Sequence, residues 1–148
     1  MRNNRGEMWV IVQIILLAAI ALSPTTFDGS AALVIIGLLI GLVGTVMVGL
    51  SILNLRSSLS IFPRPVENGS LSQGGLYSIV RHPIYAGVIL GAFGWSLLRA
   101  SLPALVLTLI LVVFFDRKAH REEQWLTEKY PEYQQYRQRV HKLIPWIY

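Results

Sequence analysis

The sequence predicts an all-α polytopic membrane protein with about four transmembrane helices and a helical C-terminal cap on the cytoplasmic side. Of its 148 residues, 53% are hydrophobic and only 14% are charged, whereas soluble domains carry about 25% charged residues. The mean hydropathy is +0.53. The apolar residues fall in four runs, of which one has the length of a full membrane span and three are shorter. The chain length predicts a single domain, residues 1–148.

The first apolar run extends from Met8 to Leu22 and is interrupted by one strongly polar residue, Gln13. Basic residues before a short apolar segment also suit a signal peptide. The segment Ser23-Pro24-Thr25 that follows lacks a clear cleavage signal of small residues. We therefore expect a retained helix rather than a cleaved leader.

The second run, Ala32 to Leu53, contains no charged residue. At 1.5 Å per residue it is long enough to cross a hydrocarbon core of about 30 Å. Gly37 and Gly41 are four residues apart, and Gly87 and Gly91 repeat this spacing in a later run. Small residues at this spacing let two helix backbones approach closely. The pattern predicts that these two helices pack against each other.

The segment from Arg56 to Arg81 is polar and contains the turn dipeptides Asn68-Gly69 and Gly74-Gly75. It predicts a structured loop of about 25 residues, a length usual for loops that are functional or disordered. Aromatic and apolar side chains inside the loop favour a functional one: Phe62, Leu71, Leu76 and Tyr77.

Two shorter apolar runs, Ile84–Leu98 and Leu102–Phe115, predict a helical hairpin that turns at residues 99–101. Pro83 and Pro103 are suitable for the first turns of its two helices, because proline has no backbone N–H to leave unpaired there. The two runs complete the predicted set of four spans.

No helix-breaking residue follows Phe115 until Pro131, so we expect the last membrane helix to continue into water. After Pro131, a second short helix would place aromatic and apolar residues on one face, which then has to cover another part of the protein. These residues are Tyr133, Tyr136, Val140 and Leu143.

The basic residues predict the orientation in the membrane. Two lie at the N-terminus, three in the long loop and seven after Phe115, whereas Arg99 is alone on the other side. The positive-inside rule places both termini, the loop and the cap in the cytoplasm, with the protein in the inner cell membrane. The net charge of +5 therefore indicates topology. No soluble body offers a basic face for nucleic acid, so no nucleic-acid partner is expected.

Several classes of chemistry are disfavoured by composition. The chain has no cysteine, which excludes disulfides, thiolate catalysis and cysteine-bound metals. The apolar runs contain essentially no ionisable residue, whereas ion-coupled transporters need buried charges near the membrane midplane. Histidines and carboxylates do not recur at metal-ligand spacing, so no metal site is expected.

Polar residues gather instead at the predicted cytoplasmic border. Their types suit a zwitterionic, aromatic small molecule such as S-adenosylmethionine, because glutamate can accept from an ammonium, arginine or histidine can hold a carboxylate, and tyrosine can cover a purine or a sulfonium. The residue types alone leave the cofactor open. The candidates are Arg81, His82, Tyr85, Glu122, Glu123, Tyr133, Tyr136, Arg137 and Arg139.

Four motifs in order carry a resemblance to a known family. They are GLYSIVRHPIYAG at residues 75–87, Glu122-Glu123, YPEYQQY at residues 130–136 and Ile144-Pro145. Together they resemble the signature of the isoprenylcysteine carboxyl methyltransferase family and its phospholipid methyltransferase relatives. The resemblance covers roughly residues 69–147, half of the chain.

This resemblance implies a helical, non-Rossmann methyltransferase that binds S-adenosylmethionine on the cytoplasmic side and admits a lipophilic acceptor, a small molecule or a membrane lipid, from the side. By position, His82, Tyr85 and Glu123 would contact the cofactor. Arg137 or Arg139 would lie near the polar end of the acceptor as catalytic residues. The residues that would shape the cofactor pocket are Arg81, Glu122, Tyr133 and Tyr136.

Other interpretations stay open. Sterol reductases have a similar C-terminal region and bind NADPH there, and a non-catalytic membrane protein could assemble through its glycine stripes. Those stripes permit an oligomer but are equally explained inside one bundle. Arg81 could be a snorkelling anchor, and Glu122-Glu123 a solvated pair. His120 and His141 are expected at the surface.

Overall fold

The computed structural model describes residues 6–55 and 71–148. Over these ranges the chain forms five α-helices and one short 3-10 helix, Gly75–Ser78, and its extended pairing is limited to one isolated parallel bridge, between Val80 and His141. This confirms the predicted all-α class. The predicted loop falls largely on residues 56–70, outside the described residues. The helices are α1 (Glu7–Leu22), α2 (Ala31–Leu55), α3 (Pro83–Leu98), α4 (Leu102–Lys129) and α5 (Tyr133–Arg139).

Helices α2 and α3 pack backbone against backbone. A Cβ atom added to Gly44 would lie 2.5 Å from the carbonyl oxygen of Gly87, and one added to Gly94 would lie 2.5 Å from the nitrogen of Gly41. The glycine spacing therefore predicted the correct helix pair. Gly94 is a contact position that the spacing did not predict. Gly41 and Gly91 contribute their backbone to the contact, although a Cβ on either would meet nothing within 4 Å.

Helix α4 lies at the centre of the core. Leu111 and Phe115 are fully buried and pack with Ile20 of α1 and Ala92 of α3. Between membrane helices, such contacts stabilise the bundle through close van der Waals packing, because lipid is as apolar as the buried side chains. The core thus holds α3 and α4 side by side, which fixes the position of the polar residues beyond it.

One end of the bundle is closed by hydrogen bonds between two turns. Thr26, in the α1–α2 linker, donates its N–H to the carbonyl of Ala100 at 3.0 Å. Ser101 donates its hydroxyl to the carbonyl of Pro24 at 2.7 Å and also caps α4 by accepting from Ala104 N–H. The linker and the α3–α4 turn therefore lie together, at the end of α3 opposite to its first turn.

Among the described helices, α2 alone is long and apolar enough to cross a membrane by length and composition. Its outward residues Leu38, Leu39, Leu42 and Val43 are exposed, as is usual for a lipid-facing surface. Helices α1 and α3 are apolar but have 16 residues each. The number of spans, about four, stays a prediction, as does the cytoplasmic position of the cap.

The C-terminal part follows the predicted outline. Helix α4 continues without interruption from Leu102 to Lys129. Helix α5 ends at Arg139, so Val140 and Leu143 of the predicted apolar face lie beyond the helix. The chain becomes extended there because it pairs with the segment before α3.

Candidate active site

The segment just before α3 is held by backbone pairing with the C-terminal part. Arg81 donates its N–H to the carbonyl of His141 at 2.8 Å, and His82 donates to that of Lys142 at 3.1 Å. Pro83 then begins α3, where its missing N–H costs nothing. The side chains of Arg81 and His82 are therefore fixed at the start of α3, and Tyr85 follows in its first turn.

Glu123 is the centre of the polar cluster. Only 3% of its side chain is exposed. Its Oε1 atom accepts from Arg81 Nε at 2.8 Å and from His82 Nε2 at 3.1 Å. Burial raises the pKa of Glu123, but hydrogen bonds and positive charge from His82 and Arg81 outweigh this effect and lower the pKa to about 2. Glu123 is ionised across the physiological range.

Glu122, the preceding residue of α4, has a different environment. It accepts from the Tyr85 hydroxyl at 2.7 Å and lies 3.8 Å from His82 Nδ1. Burial raises the pKa of Glu122, although the charge of His82 and the hydrogen bond from Tyr85 oppose the rise. Its side chain is still 25% exposed. His82 therefore lies between two carboxylates, and Glu122 is the one that retains access to solvent.

An aromatic stack forms one wall of the cluster. The ring of Tyr85 is parallel to that of His82 at 5.3 Å between centroids and stacks on Phe115 of α4 at 4.6 Å. Such contacts add about 0.5–1.5 kcal/mol beyond area burial. Phe115 belongs to the apolar core, so the stack marks the border between core and polar cluster.

Arg81 connects the cluster to α5. Its Nη1 donates to the carbonyl oxygens of Arg137 and Val140, at the C-terminal end of α5. A cation at this end is stabilised by the exposed carbonyls of the helix. Only 9% of the Arg81 side chain is exposed, which does not fit a snorkelling anchor.

Two tyrosines of α5 are buried beside the cluster. The hydroxyl of Tyr136 donates to the carbonyl of Tyr77. The Tyr133 hydroxyl has no hydrogen-bond partner within the described part of the chain. Burial raises the pKa of Tyr133, so it keeps its proton at neutral pH. A buried donor without a partner costs about 1–3 kcal/mol, which indicates a position where a partner is missing.

A cleft of about 380 Å³ adjoins the cluster. Its volume lies within the range of small-molecule sites. Arg81, Glu123 and Arg137 line it, together with His120 and His141, which were expected simply as surface residues. Local sequence patterns could not have identified the two histidines, because the C-terminal segment has to fold back onto α4 to enclose the cleft.

The structure brings most of the predicted site residues together. Five of them are in direct contact, and Arg137 joins them with its Nε 3.8 Å from Glu123 Oε2. Arg139 is exposed, and its guanidinium donates to the carbonyl of Gln135 in its own helix at 3.3 Å, away from the cluster. The five residues in contact are Arg81, His82, Tyr85, Glu122 and Glu123.

Two charged residues near the cluster have partners that local spacing did not predict. Lys118 lies at helical spacing from Glu122, yet it donates to Gln13 of α1 at 2.5 Å. Asp116 accepts from Lys142 and, at 2.8 Å, from the Tyr148 hydroxyl. The isolated Gln13 in an apolar run was the signal that could have indicated the first pair.

Comparison with known proteins shows which sequences the chain resembles. The chain is 29% identical over 116 residues to a probable protein-S-isoprenylcysteine O-methyltransferase of Oryza sativa subsp. japonica, which covers 76% of the chain and 61% of that protein. It is 26% identical over 144 residues to the cobalt-zinc-cadmium resistance protein CzcN of Cupriavidus metallidurans, covering 97% of the chain and 64% of that protein. The chain thus spans less than two thirds of the length of either relative.

The fold also has a solved counterpart. The structure of the eukaryotic intramembrane Ras methyltransferase ICMT, an isoprenylcysteine carboxyl methyltransferase, superposes with a TM-score of 0.72 at 23% identity, over 97% of this chain and 54% of that one. At this identity the likeness establishes the fold. The sequence model of the phospholipid methyltransferase family matches residues 32–133, more than half of the chain. The helical fold, the order of the motifs and this match together establish that the chain belongs to the phospholipid methyltransferase family.

Proposed function

We propose that this protein transfers a methyl group from S-adenosylmethionine to a lipophilic, membrane-resident small acceptor. The observation that carries the proposal is the cluster itself. Arg81, His82 and Tyr85 at the start of α3 contact Glu122 and Glu123 on α4, in a chain of a methyltransferase family. Residues about 40 positions apart therefore form one polar site at the edge of an apolar bundle.

The residues present fit a charged methyl donor. Among the described residues, the Tyr133 hydroxyl is a buried donor without a partner. Glu122 is a carboxylate with solvent access, and the Arg137 side chain is 54% exposed beside the cleft. A carboxylate suits the donor's ammonium, and a guanidinium suits its carboxylate. When bound, S-adenosylmethionine supplies a methyl group on a sulfonium that an acceptor atom can attack.

The remaining residues would hold the site in shape. Both Arg81 and His82 donate to Glu123, so this ion cluster fixes the start of α3 against α4. Tyr85, stacked on Phe115, would exclude water from the apolar side. Methyl transfer needs little acid–base help once donor and acceptor are aligned, so orientation and exclusion of water can supply most of the rate.

A second cavity supports a lipophilic acceptor. A mainly apolar groove of about 340 Å³ lies between α1, α2 and α3. Gly87 and Val88 line it, and they lie two and three residues after Tyr85 on α3. A lipid chain in this groove would bring its polar end towards the cluster, where Arg137, or Arg139 after a side-chain rearrangement, would attract it. The α2–α3 glycine contacts are satisfied within one chain, so they do not require an oligomer.

Ligand binding tests the proposal. We expect purified protein in detergent or nanodiscs to bind S-adenosylhomocysteine in calorimetry, and to methylate a component of a lipid extract with labelled S-adenosylmethionine. If the protein binds NADPH but does not bind S-adenosylhomocysteine, the result would favour the reductase alternative. Binding of neither would favour a non-catalytic protein.

A matched pair of variants tests the site. Glu122→Gln should weaken S-adenosylhomocysteine binding by about 1.5–3 kcal/mol, the value of a charge-assisted hydrogen bond. The control Glu128→Gln removes a carboxylate from the same helix at an exposed position and should bind as the wild type does. Equal affinity of both variants would remove Glu122 from the donor site.

A further inference from the structure

Gln13 interrupts the apolar run of α1, where a polar side chain is costly unless it has a partner. It is half-buried, and its Oε1 atom accepts from Lys118 Nζ at 2.5 Å. Helix α1 lies outside the segment that matches the family, residues 32–133. The family motifs therefore do not account for this contact.

Lys118 needs that acceptor. Its side chain lies one helical turn after the core residue Phe115 and is 2% exposed. Across the described ranges it forms no ion pair, and Gln13 is its hydrogen-bond acceptor. The other neighbours of its ammonium are the rings of Tyr85, at 5.1 Å, and Phe115, at 5.9 Å. A buried ammonium with so few partners is expensive, and these cation–π contacts offset part of the cost.

Three successive contacts connect α1 to the polar cluster. Gln13 accepts from Lys118, the Lys118 ammonium lies over the Tyr85 ring, and the Tyr85 hydroxyl donates to Glu122 at 2.7 Å. The charged or titratable groups that face Lys118 are thus Glu122 on its own helix and Tyr85 on α3, while Gln13 of α1 is neutral. Each contact restrains the next.

We propose that Gln13 is a positioning residue for the donor site: it holds the Lys118 ammonium against the Tyr85 ring, and this keeps the Tyr85 hydroxyl on Glu122. The proposal rests on the proposed function and adds α1 to the elements that form the site. Removing the acceptor at position 13 would leave the ammonium without a hydrogen bond, so that it deprotonates or leaves the ring.

The test compares Gln13→Leu, which removes the acceptor, with Gln13→Glu, which keeps one. The control is Ile14→Ala, at an exposed position of the same helix. In calorimetry with S-adenosylhomocysteine, we expect Gln13→Leu to lose about tenfold in affinity, because small displacements of site groups have large effects. Gln13→Glu and Ile14→Ala should bind within about twofold of the wild type.

A second readout needs no donor. Burial lowers the pKa of Lys118, and loss of the acceptor should lower it further, whereas a carboxylate at position 13 should raise it. NMR titration of isotopically labelled lysine in the ligand-free protein measures both shifts. If Gln13→Leu does not fold, the Gln13→Glu shift decides alone.

The two proposals fail in different ways. Wild-type protein that does not bind S-adenosylhomocysteine would contradict the proposed function and this inference with it. If the wild type binds S-adenosylhomocysteine, either of two results would overturn the role of Gln13 and leave the proposed function intact. One is unchanged affinity in Gln13→Leu, and the other is an unchanged Lys118 pKa in Gln13→Glu.

Discussion

Glu122 and Glu123 are neighbours on α4, yet their carboxylates have opposite environments. Successive side chains on a helix point about 100° apart, so Glu123 turns towards Arg81 and His82 while Glu122 turns towards Tyr85. The sequence predicted that these five residues gather in one place. It could not assign partners within the pair, because they depend on how α3 packs on α4.

The two buried tyrosines of α5 allow a paired test of whether the Tyr133 hydroxyl donates to the bound ligand. Tyr136→Phe removes the donor to the Tyr77 carbonyl and should lower the free energy of unfolding by about 1 kcal/mol. Tyr133→Phe removes a hydroxyl that has no described partner, so the ligand-free protein should be as stable or more stable. The stabilisation that S-adenosylhomocysteine gives to the wild type should then decrease. Thermal unfolding with and without this ligand measures both effects, and a large loss of ligand-free stability in Tyr133→Phe would contradict the second.

The ionisation of Glu123 predicts a pH dependence of stability. Its pKa of about 2 in the folded protein lies below the ordinary value of 4.5. Its contribution, on the order of 3 kcal/mol, is therefore fully present above about pH 4.5 and is lost as the pH falls towards 2. Unfolding in detergent between pH 6 and pH 2.5 should show this decline, and Glu123→Gln should show a smaller one. Equal slopes in the two proteins would mean that protonation of Glu123 does not cause the loss of stability at low pH.

At the level of elements, the helices were predictable and their long-range contacts were not. Apolar run length predicted α1 to α3, and the absence of a breaker before Pro131 predicted the full extent of α4. Helix α5 is shorter than its apolar pattern, because Val140 leaves the helix for the pairing near His141. That pairing joins segments about 60 residues apart, and no local pattern contains it.

The α2–α3 contact predicts a large difference between two glycines of one helix. Gly44→Ala places a methyl group 2.5 Å from the Gly87 carbonyl oxygen, so the helices must separate at a cost of about 1–3 kcal/mol or more. At Gly49 an added Cβ meets nothing within 4 Å, and alanine is the better helix former by up to about 1 kcal/mol. Unfolding in mixed micelles should therefore show Gly44→Ala destabilised and Gly49→Ala unchanged or stabilised. Similar stability of the two variants would contradict the close α2–α3 packing.

Considered as a whole, the molecule has two chemically different ends. The turn at Ala100 and the α1–α2 linker close one end with hydrogen bonds. The polar cluster forms the other end, where α3 begins and the apolar segment of α4 ends. The 16 residues of α3 separate the two ends by about 24 Å. In the function proposed above, the polar end would bind the soluble donor at one membrane border, and the apolar sides would contact lipid.

This polarity predicts which residues face the cytoplasm. The chain has no cysteine, so single cysteines at exposed positions can be labelled without a background. Asp28→Cys lies in the α1–α2 linker and Gln134→Cys on α5, beside the cluster. The positive-inside rule predicts that a membrane-impermeant maleimide reacts at position 28 in intact bacterial cells. It should react at position 134 only after the membrane is permeabilised. Labelling of both positions in intact cells, or the reverse order, would contradict the cytoplasmic site that the positive-inside rule predicts.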